Sequence, residues 1–185
     1  MKLETERLLL RPWLESDAAD LYEYAKDERV GPVAGWPVHT SVEHSREVIR
    51  EVFNHPEVYA LELKQNQRAV GCVGLLTGSN SNFEISEQEG EISYWIGVPY
   101  WGKGLVPEAV REVMRHAFET LKLQALWCGY YTDNSQSQAA QAKCGFRHHH
   151  TEENKHNRFL DDYRTEHISR ITREQWCALQ AATPA

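Results

Sequence analysis

Apolar and polar positions recur with readable periods along most of this 185-residue chain. Glu6 to Trp13 alternates and is rich in leucine, which predicts a first strand. Ser16-Asp17 then opens an amphipathic run, Ala18 to Lys26, with Ser16 as the N-cap of a predicted helix. The turn formers Gly31, Pro32 and Pro37 predict a loop over Gly31 to His39. Thr40-Ser41-Val42-Glu43 has capping-box form, and Val42, Val48, Ile49, Val52 and Phe53 follow at helical spacing, so a second helix is predicted from about Ser41 to Asn54.

Tyr59 to Leu63 and Ala69 to Thr77 flank the polar turn Gln65-Asn66-Gln67 and predict a hairpin. Gly78 to Glu87 is polar and reads as a loop. Glu91 to Val98 alternates, with Ile92, Tyr94 and Ile96 on one face and Glu91, Ser93 and Trp95 on the other. Val106 to Leu121 carries Ala109, Val110, Val113, Met114, Ala117, Phe118 and Leu121 at helical spacing. Ala125 to Tyr131 predicts a buried strand, and Asn134 and Ser135 can cap a short helix that Gly145 ends in a left-handed conformation. Phe146 to Glu152 and Tyr163 to Ile171 predict two closing strands, and Thr172-Arg173-Glu174-Gln175 is a capping box for a C-terminal helix. Seven strands and several helices in this order predict an α/β (α+β) sandwich, with helices on both faces of one mixed sheet.

Length narrows this to a single domain spanning residues 1–185, since a chain of this size buries roughly 70% of its unfolded surface. No run approaches the roughly 18 apolar residues of a membrane helix, and Met1 to Arg7 lacks an apolar signal core. The expected location is the cytoplasm, with no membrane partner. A net charge of -7 argues against nucleic acid as partner and suits a cationic substrate such as an amine. Cys72, Cys128, Cys144 and Cys177 form no Cys-x-x-Cys pair and read as reduced, partly buried thiols. His148-His149-His150 is expected at a solvated strand end rather than on a metal, because alternate strand residues point to opposite faces; no metal site is expected.

The stretch with most chemistry is Tyr100-Trp101-Gly102-Lys103-Gly104-Leu105-Val106, between a strand and a helix. Two glycines permit φ > 0 and a close approach of backbone to ligand, and a helix starting near Leu105 aims unpaired N–H groups and its positive end into the same space. The motif is neither a P-loop nor a Gly-x-Gly-x-x-Gly loop. It reads either as a plain turn or as a short cradle for a pyrophosphate.

Three features stand in fixed order: Glu91-Ile92-Ser93-Tyr94-Trp95-Ile96, then Trp101 to Val106, then Asn134-Ser135-Gln136-Ser137 with Lys143-Cys144-Gly145-Phe146. Together with the opening Thr5-Glu6-Arg7-Leu8-Leu9-Leu10-Arg11, this set resembles the GNAT superfamily of N-acetyltransferases and, within it, the RimJ/RimL-like branch. The resemblance covers about residues 5 to 180. It implies a mostly antiparallel seven-stranded sheet with a central splay, acetyl-CoA as donor, and a primary amine as acceptor, either a protein N-terminal α-amine or a small cationic amine. A homodimer is an assembly the family allows.

The resemblance also implies residue roles. The pyrophosphate would lie on Trp101, Gly102, Lys103, Gly104, Leu105 and Val106, and the pantetheine would meet backbone groups of Ile96, Gly97 and Val98 and the Asn134 side chain. Glu91 matches the family's proton-taking carboxylate, with Glu89 its neighbour on the same face and a surface carboxylate as the other reading. Glu108 would serve the helix dipole or packing. The tyrosine that many members use toward the leaving thiol is replaced by Gln141, and Ser137, one turn earlier, would bond the CoA sulfur instead. Trp36 and His39 would shape the acceptor pocket. The missing tyrosine leaves an alternative open, a catalytically weak acetyl-CoA-binding or regulatory module with the same fold.

Overall fold

The structure of the protein, a computed structural model, describes residues 1 to 182. Strands β1 (Leu3–Glu4) and β2 (Leu8–Pro12) precede helices α1 (Ala18–Ala25), α2 (Gly31–Ala34) and α3 (Val42–Glu51). Then come β3 (Val58–Leu63), β4 (Arg68–Thr77), β5 (Glu89–Ile96), α4 (Leu105–Arg115), β6 (Ala125–Tyr131), α5 (Ser135–Lys143), β7 (Arg147–Asn157), β8 (Asp162–Thr172) and α6 (Arg173–Ala182). The strands form one eight-stranded sheet in the order β1-β2-β3-β4-β5-β6-β8-β7. The expected seven become eight because the two residues Leu3 and Glu4 pair with Leu10 and Leu9, too short a segment to show alternation.

Every neighbouring pair is antiparallel except β5 with β6, which run parallel. The apolar face of β2, Leu8 and Leu10, is fully buried together with Leu61, Val73, Leu75 and Ile92. Helices α1 and α3 pack together on one side, and α4 contacts β2, β4, β5 and α5 on the other. No helix among the described residues is long and apolar enough to cross a membrane.

Local signals explain most boundaries. The Ser41 side chain accepts from the His44 N–H at 3.0 Å at the start of α3. Thr172 and Gln175 exchange bonds of 2.9 and 3.2 Å at the start of α6. Gly145 follows α5 at φ 89°, a left-handed stop. Three expectations shift. Ser16 lies inside a 3₁₀ turn, Glu15–Asp17, that precedes α1, so it is not that helix's cap. The predicted loop Gly31 to His39 contains the one-turn helix α2, which tolerates Pro32 because first-turn N–H groups need no helical partner. The helix expected through Leu121 is α-helical only to Arg115 and continues as a π-helical turn, His116–Thr120.

The N-terminal motif is tied to distant parts of the chain. Glu108, in the first turn of α4, accepts from Thr5 Oγ1 at 2.6 Å, Arg7 N at 2.9 Å and Arg7 Nε at 2.7 Å. Burial alone would raise the Glu108 carboxyl, but bonds from Thr5 and Arg7 outweigh it and hold it below its ordinary value. Arg7 Nη1 also donates to the Lys103 carbonyl at 2.9 Å. Glu108 therefore clamps the first strands to the start of α4 and to the glycine loop.

Candidate active site

The central feature is a gap between parallel neighbours. Strands β5 and β6 pair only at Glu89↔Ala125, Gly90↔Leu126 and Glu91↔Trp127. Beyond that point β5 stays with β4 as far as Ile96↔Gly71, while β6 stays with β8 as far as Tyr131↔Glu166. The strands diverge into a V whose inner edges carry backbone donors and acceptors. Such edges suit an extended ligand with amide groups of its own, because strand edges accept an added strand-like chain.

At the tip of β5 the chain turns through Gly97 and a 3₁₀ turn, Val98–Tyr100, into the glycine loop. Gly102 and Gly104 sit at φ 71° and 74°, and Gly104 is the N-cap of α4. Among the described residues, the N–H groups of residues 102 to 106 donate to no backbone carbonyl, whereas Glu108 N closes the first turn on Gly104 O at 3.2 Å. Gly102, Lys103 and Gly104 are exposed whereas Leu105 is buried, so the glycine loop ahead of the positive helix end faces open space. The Trp101 indole pins the loop to the strand, its Nε1 donating to the Ile96 carbonyl at 3.0 Å. Of the three residues expected to meet an extended ligand, Ile96 thus already has one carbonyl bond, Gly97 N donates to Val70 O at 2.9 Å, and Val98 N–H donates to no backbone carbonyl. A Cβ on Gly97 would lie 2.5 Å from the Tyr24 ring, which closes this end of the V from the α1 side.

Helix α5 starts just past the tip of β6 and bridges the V, meeting β5 through Ser137 and β6 through Gln141. Asn134 caps it, its Oδ1 accepting from Ser137 N at 3.0 Å. Ser137 is 9% exposed, and its Oγ lies 2.8 Å from the Tyr94 hydroxyl on β5. Gln141 Nε2 donates to Gly129 O at 3.0 Å and reaches Ser137 Oγ at 3.4 Å. Gln141 Oε1 is buried with no hydrogen-bond partner. In the sequence Tyr94 is legible only as part of an apolar strand face. Burial pushes its phenol well above the ordinary value, so it stays a neutral O–H donor.

The opposite face of β5 carries the carboxylates. Glu91, at the last β5–β6 pair, is 5% exposed, which rules out the surface reading. It accepts from Ser81 Oγ at 2.8 Å, Asn82 N at 2.6 Å and Asn82 Nδ2 at 3.0 Å. Glu89 is engaged elsewhere, with Arg170 Nη2 at 3.0 Å and with Ser86; burial pushes its carboxyl up, but those bonds bring it below the ordinary value. A second carboxylate, which the sequence does not single out, is Glu166 on β8. A Cβ on Gly129 would strike its carboxyl oxygen, so glycine at 129 is what lets it lie against β6. Lys155 Nζ pairs with Glu166 at 2.9 Å, yet burial wins and raises the Glu166 carboxyl.

Trp36 and His39 touch, with ring centroids 5.4 Å apart, but face different surroundings. Trp36 is half-buried and meets the Trp95 ring edge-on at 5.8 Å, which brings it to the carboxylate-bearing face of β5. His39 is 6% exposed, with Nδ1 2.8 Å from Ser45 Oγ and its ring stacked 4.6 Å from His44. The structure places it in the packing between α1 and α3, not on the open V. Burial, helped by the His44 charge, lowers its pKa to about 4. A folded value below the unfolded value of about 6.5 means that stability from neutral His39 is complete above about pH 6.5 and is lost as pH falls toward 4, by on the order of 3 kcal/mol. Chemical denaturation from pH 7 to 4 should show a steeper loss for the native chain than for His39→Gln, and parallel curves would refute the assignment.

The remaining chemistry-bearing groups lie apart. Cys72, Cys128 and Cys144 are buried free thiols, whereas Cys177 is exposed; burial pushes Cys72 to about 12 and Cys144 to about 11, leaving protonated thiols. A register shift between His148 and His150 breaks the alternation expected for the histidine triplet. His149 and His150 both lie against Trp127, with Nδ1 atoms 2.8 Å apart, and His148 lies against His167. A cavity of about 580 Å³ opens at the wide end of the V, lined by Pro32, Val33, Tyr131, Asp133, Asn134 and Arg164 among others.

Comparison with known proteins bears on this arrangement. The family model described as an acetyltransferase (GNAT) domain matches residues 7–147. An uncharacterized N-acetyltransferase of Bacillus licheniformis, p20, is 27% identical over 143 residues, covering 73% of this chain and 76% of that protein. A GNAT-family acetyltransferase from Bacillus anthracis superposes with a TM-score of 0.82 at 20% identity, over 94% of this chain and 99% of the other. RimJ of Mycobacterium smegmatis, in complex with CoA-disulfide, superposes with a TM-score of 0.75 at 19% identity, over 98% and 94%. At these identities the structural likenesses speak to the fold.

Proposed function

This chain belongs to the GNAT family of acetyltransferases, and from that premise we propose that it moves an acetyl group from acetyl-CoA to a primary amine by direct attack in a ternary complex. The acceptor is a protein N-terminal α-amine or a small cationic amine. The observation that carries the proposal is the continuity of the open V with the glycine loop: unpaired strand edges lead from the Glu91–Ser137 region directly to the exposed N–H groups ahead of α4.

The residues present fit acetyl-CoA. Loop N–H groups of residues 102 to 106, with Lys103, would hold the pyrophosphate, and Val98 N–H and Asn134 would meet the pantetheine. Acetyl-CoA, when bound, supplies an acetyl group activated as a thioester. Glu91 takes the proton of the attacking amine, directly or through water, and Ser137 donates a hydrogen bond to the sulfur as negative charge collects there. Serine is too weak an acid to give up its proton, so its part is to stabilise the thiolate. The N-terminal Thr5-Glu6-Arg7 segment and Trp101 support placement near the RimJ/RimL-like branch.

A second reading, an acetyl-CoA-binding module without turnover, draws on Gln141 standing where many relatives carry a tyrosine. Thiol release from acetyl-CoA across a panel of N-terminal peptides, polyamines and aminoglycosides separates the two: binding without release for any acceptor would favour the module. The same assay carries a control on the loop. A β-branched residue at φ 74° is a strained outlier costing at least about 1–2 kcal/mol, so Gly104→Val is expected to weaken acetyl-CoA binding at least about tenfold. Unchanged binding by calorimetry would remove the loop from the cofactor site.

A further inference from the structure

We propose that Tyr94 and Gln141 are positioning residues that turn the Ser137 hydroxyl toward the sulfur of the departing CoA. The inference rests on the assignment of Ser137 to that sulfur. A serine hydroxyl has one proton and two lone pairs, and in the first turn of a helix that proton is readily taken by a nearby acceptor. Its direction therefore depends on what fills the lone pairs.

Gln141 Nε2 can only donate, and at 3.4 Å it addresses one lone pair of Ser137 Oγ. The Tyr94 hydroxyl lies between two partners, Ser137 Oγ at 2.8 Å and the Ser137 carbonyl at 3.1 Å. With no charge nearby, the phenol proton serves the carbonyl and Ser137 donates to the phenol oxygen. As negative charge grows on a sulfur beside Ser137, both O–H bonds rotate. Ser137 then donates to sulfur and Tyr94 donates to Ser137 Oγ. No covalent bond breaks and no proton changes owner, so the step balances; the charge is shared along a chain of two hydroxyls, each polarising the next. Burial keeps the Tyr94 phenol protonated, so the donor persists at any working pH. A phenol thus reaches the leaving-group region from β5 in a chain whose α5 carries Gln141 instead of tyrosine.

The experiment titrates the thiol of CoA bound to the full chain, followed by thiolate absorbance against desulfo-CoA as blank, and measures kcat and KM with acetyl-CoA. In the native chain the bound thiol should titrate below the free thiol. Ser137→Ala should raise it by about one unit, and Tyr94→Phe and Gln141→Leu each by about half a unit. Tyr94→Phe should lower kcat about threefold, the equivalent of half a unit, with KM within about twofold, and should add nothing in the Ser137→Ala background. A native-like thiol titration in Tyr94→Phe, or a full effect of it in the Ser137→Ala background, overturns the positioning role. An unchanged titration in Ser137→Ala overturns the Ser137 assignment and this inference with it. Gln141→Leu supplies the same readouts if Tyr94→Phe does not fold.

Discussion

Exchanging Glu91 for glutamine is expected to lower kcat by about 10²–10⁴-fold while acetyl-CoA affinity stays within about twofold, as removal of a general base should. The substitution preserves shape. Ser81 Oγ and Asn82 N can both stay on one side-chain oxygen, as they do on Glu91 Oε2, and Asn82 can turn its amide so that its oxygen faces the new NH₂. What disappears is a group able to take a proton at the narrow end of the V. A purely structural Glu91, clamping the 81–83 segment, would instead produce a loss of stability with turnover preserved. The pH dependence separates the cases. An acceptor amine sheds its proton to water unaided once the pH approaches its own pKa, about 8 for an α-amine and about 10 for an alkylamine. The glutamine variant's deficit should therefore shrink as pH rises. A deficit that is constant with pH, or absent, sinks the assignment. Glu166 is the control: its carboxyl is raised by burial and it approaches the V from β8, so a pH-dependent deficit in Glu166→Gln and none in Glu91→Gln would transfer the role to it.

How much of this is legible in the sequence depends on range along the chain. Caps and stops are local, and Ser41, Thr172 and Gly145 announce their helix ends because the partner lies within a few residues. Alternation correctly separates the Tyr94 face of β5 from the Glu91 face, and helical spacing sets Ser137 one turn from Gln141. What lies opposite each face is a tertiary fact. The Tyr94–Ser137 pair spans 43 positions and the Thr5–Glu108 bond 103, and no period in a single sequence encodes either. Glu166 is hidden for the same reason, since a carboxylate in a mixed polar strand reads as solvated until Gly129 is found to admit it to the sheet. His39 shows the reverse: a polar residue in a Pro-rich loop reads as accessible, but the bond to Ser45 and the stacking on His44 bury it. The expectation for the histidine triplet rests on strict alternation, and the bulge at His149 breaks that premise.

The opening Leu-rich segment carries the largest expected effect on stability. Replacing Arg11 by methionine should destabilise the fold by about 3–5 kcal/mol, the usual range for breaking a buried ion pair from one side. The Arg11 side chain, 10% exposed, donates from Nη1 and Nη2 to the two Asp17 oxygens at 2.7 and 2.9 Å and from Nε to Glu62 Oε2 at 2.5 Å. The Asp17 side chain is 9% exposed and that of Glu62 17%, so methionine would fill the space while stranding two carboxylates. Asp17 also accepts from Leu14 N at 2.9 Å, which fixes the turn that launches α1, and α1 carries the Tyr24 ring that closes the V beside Gly97. Loss of Arg11 should therefore loosen the Gly97 end of the V as well as the fold. The cause can be isolated by charge. If stranded carboxylates are responsible, acidification that protonates them should narrow the gap between variant and native chain. Replacing Glu62 by leucine and Asp17 by asparagine, which keeps an acceptor for Leu14 N, alongside Arg11→Met should recover most of the loss, because the stranded charges are then gone. A deficit that persists in acid and in the triple variant would show that Arg11 acts through packing of its stem against the sheet rather than through its charge.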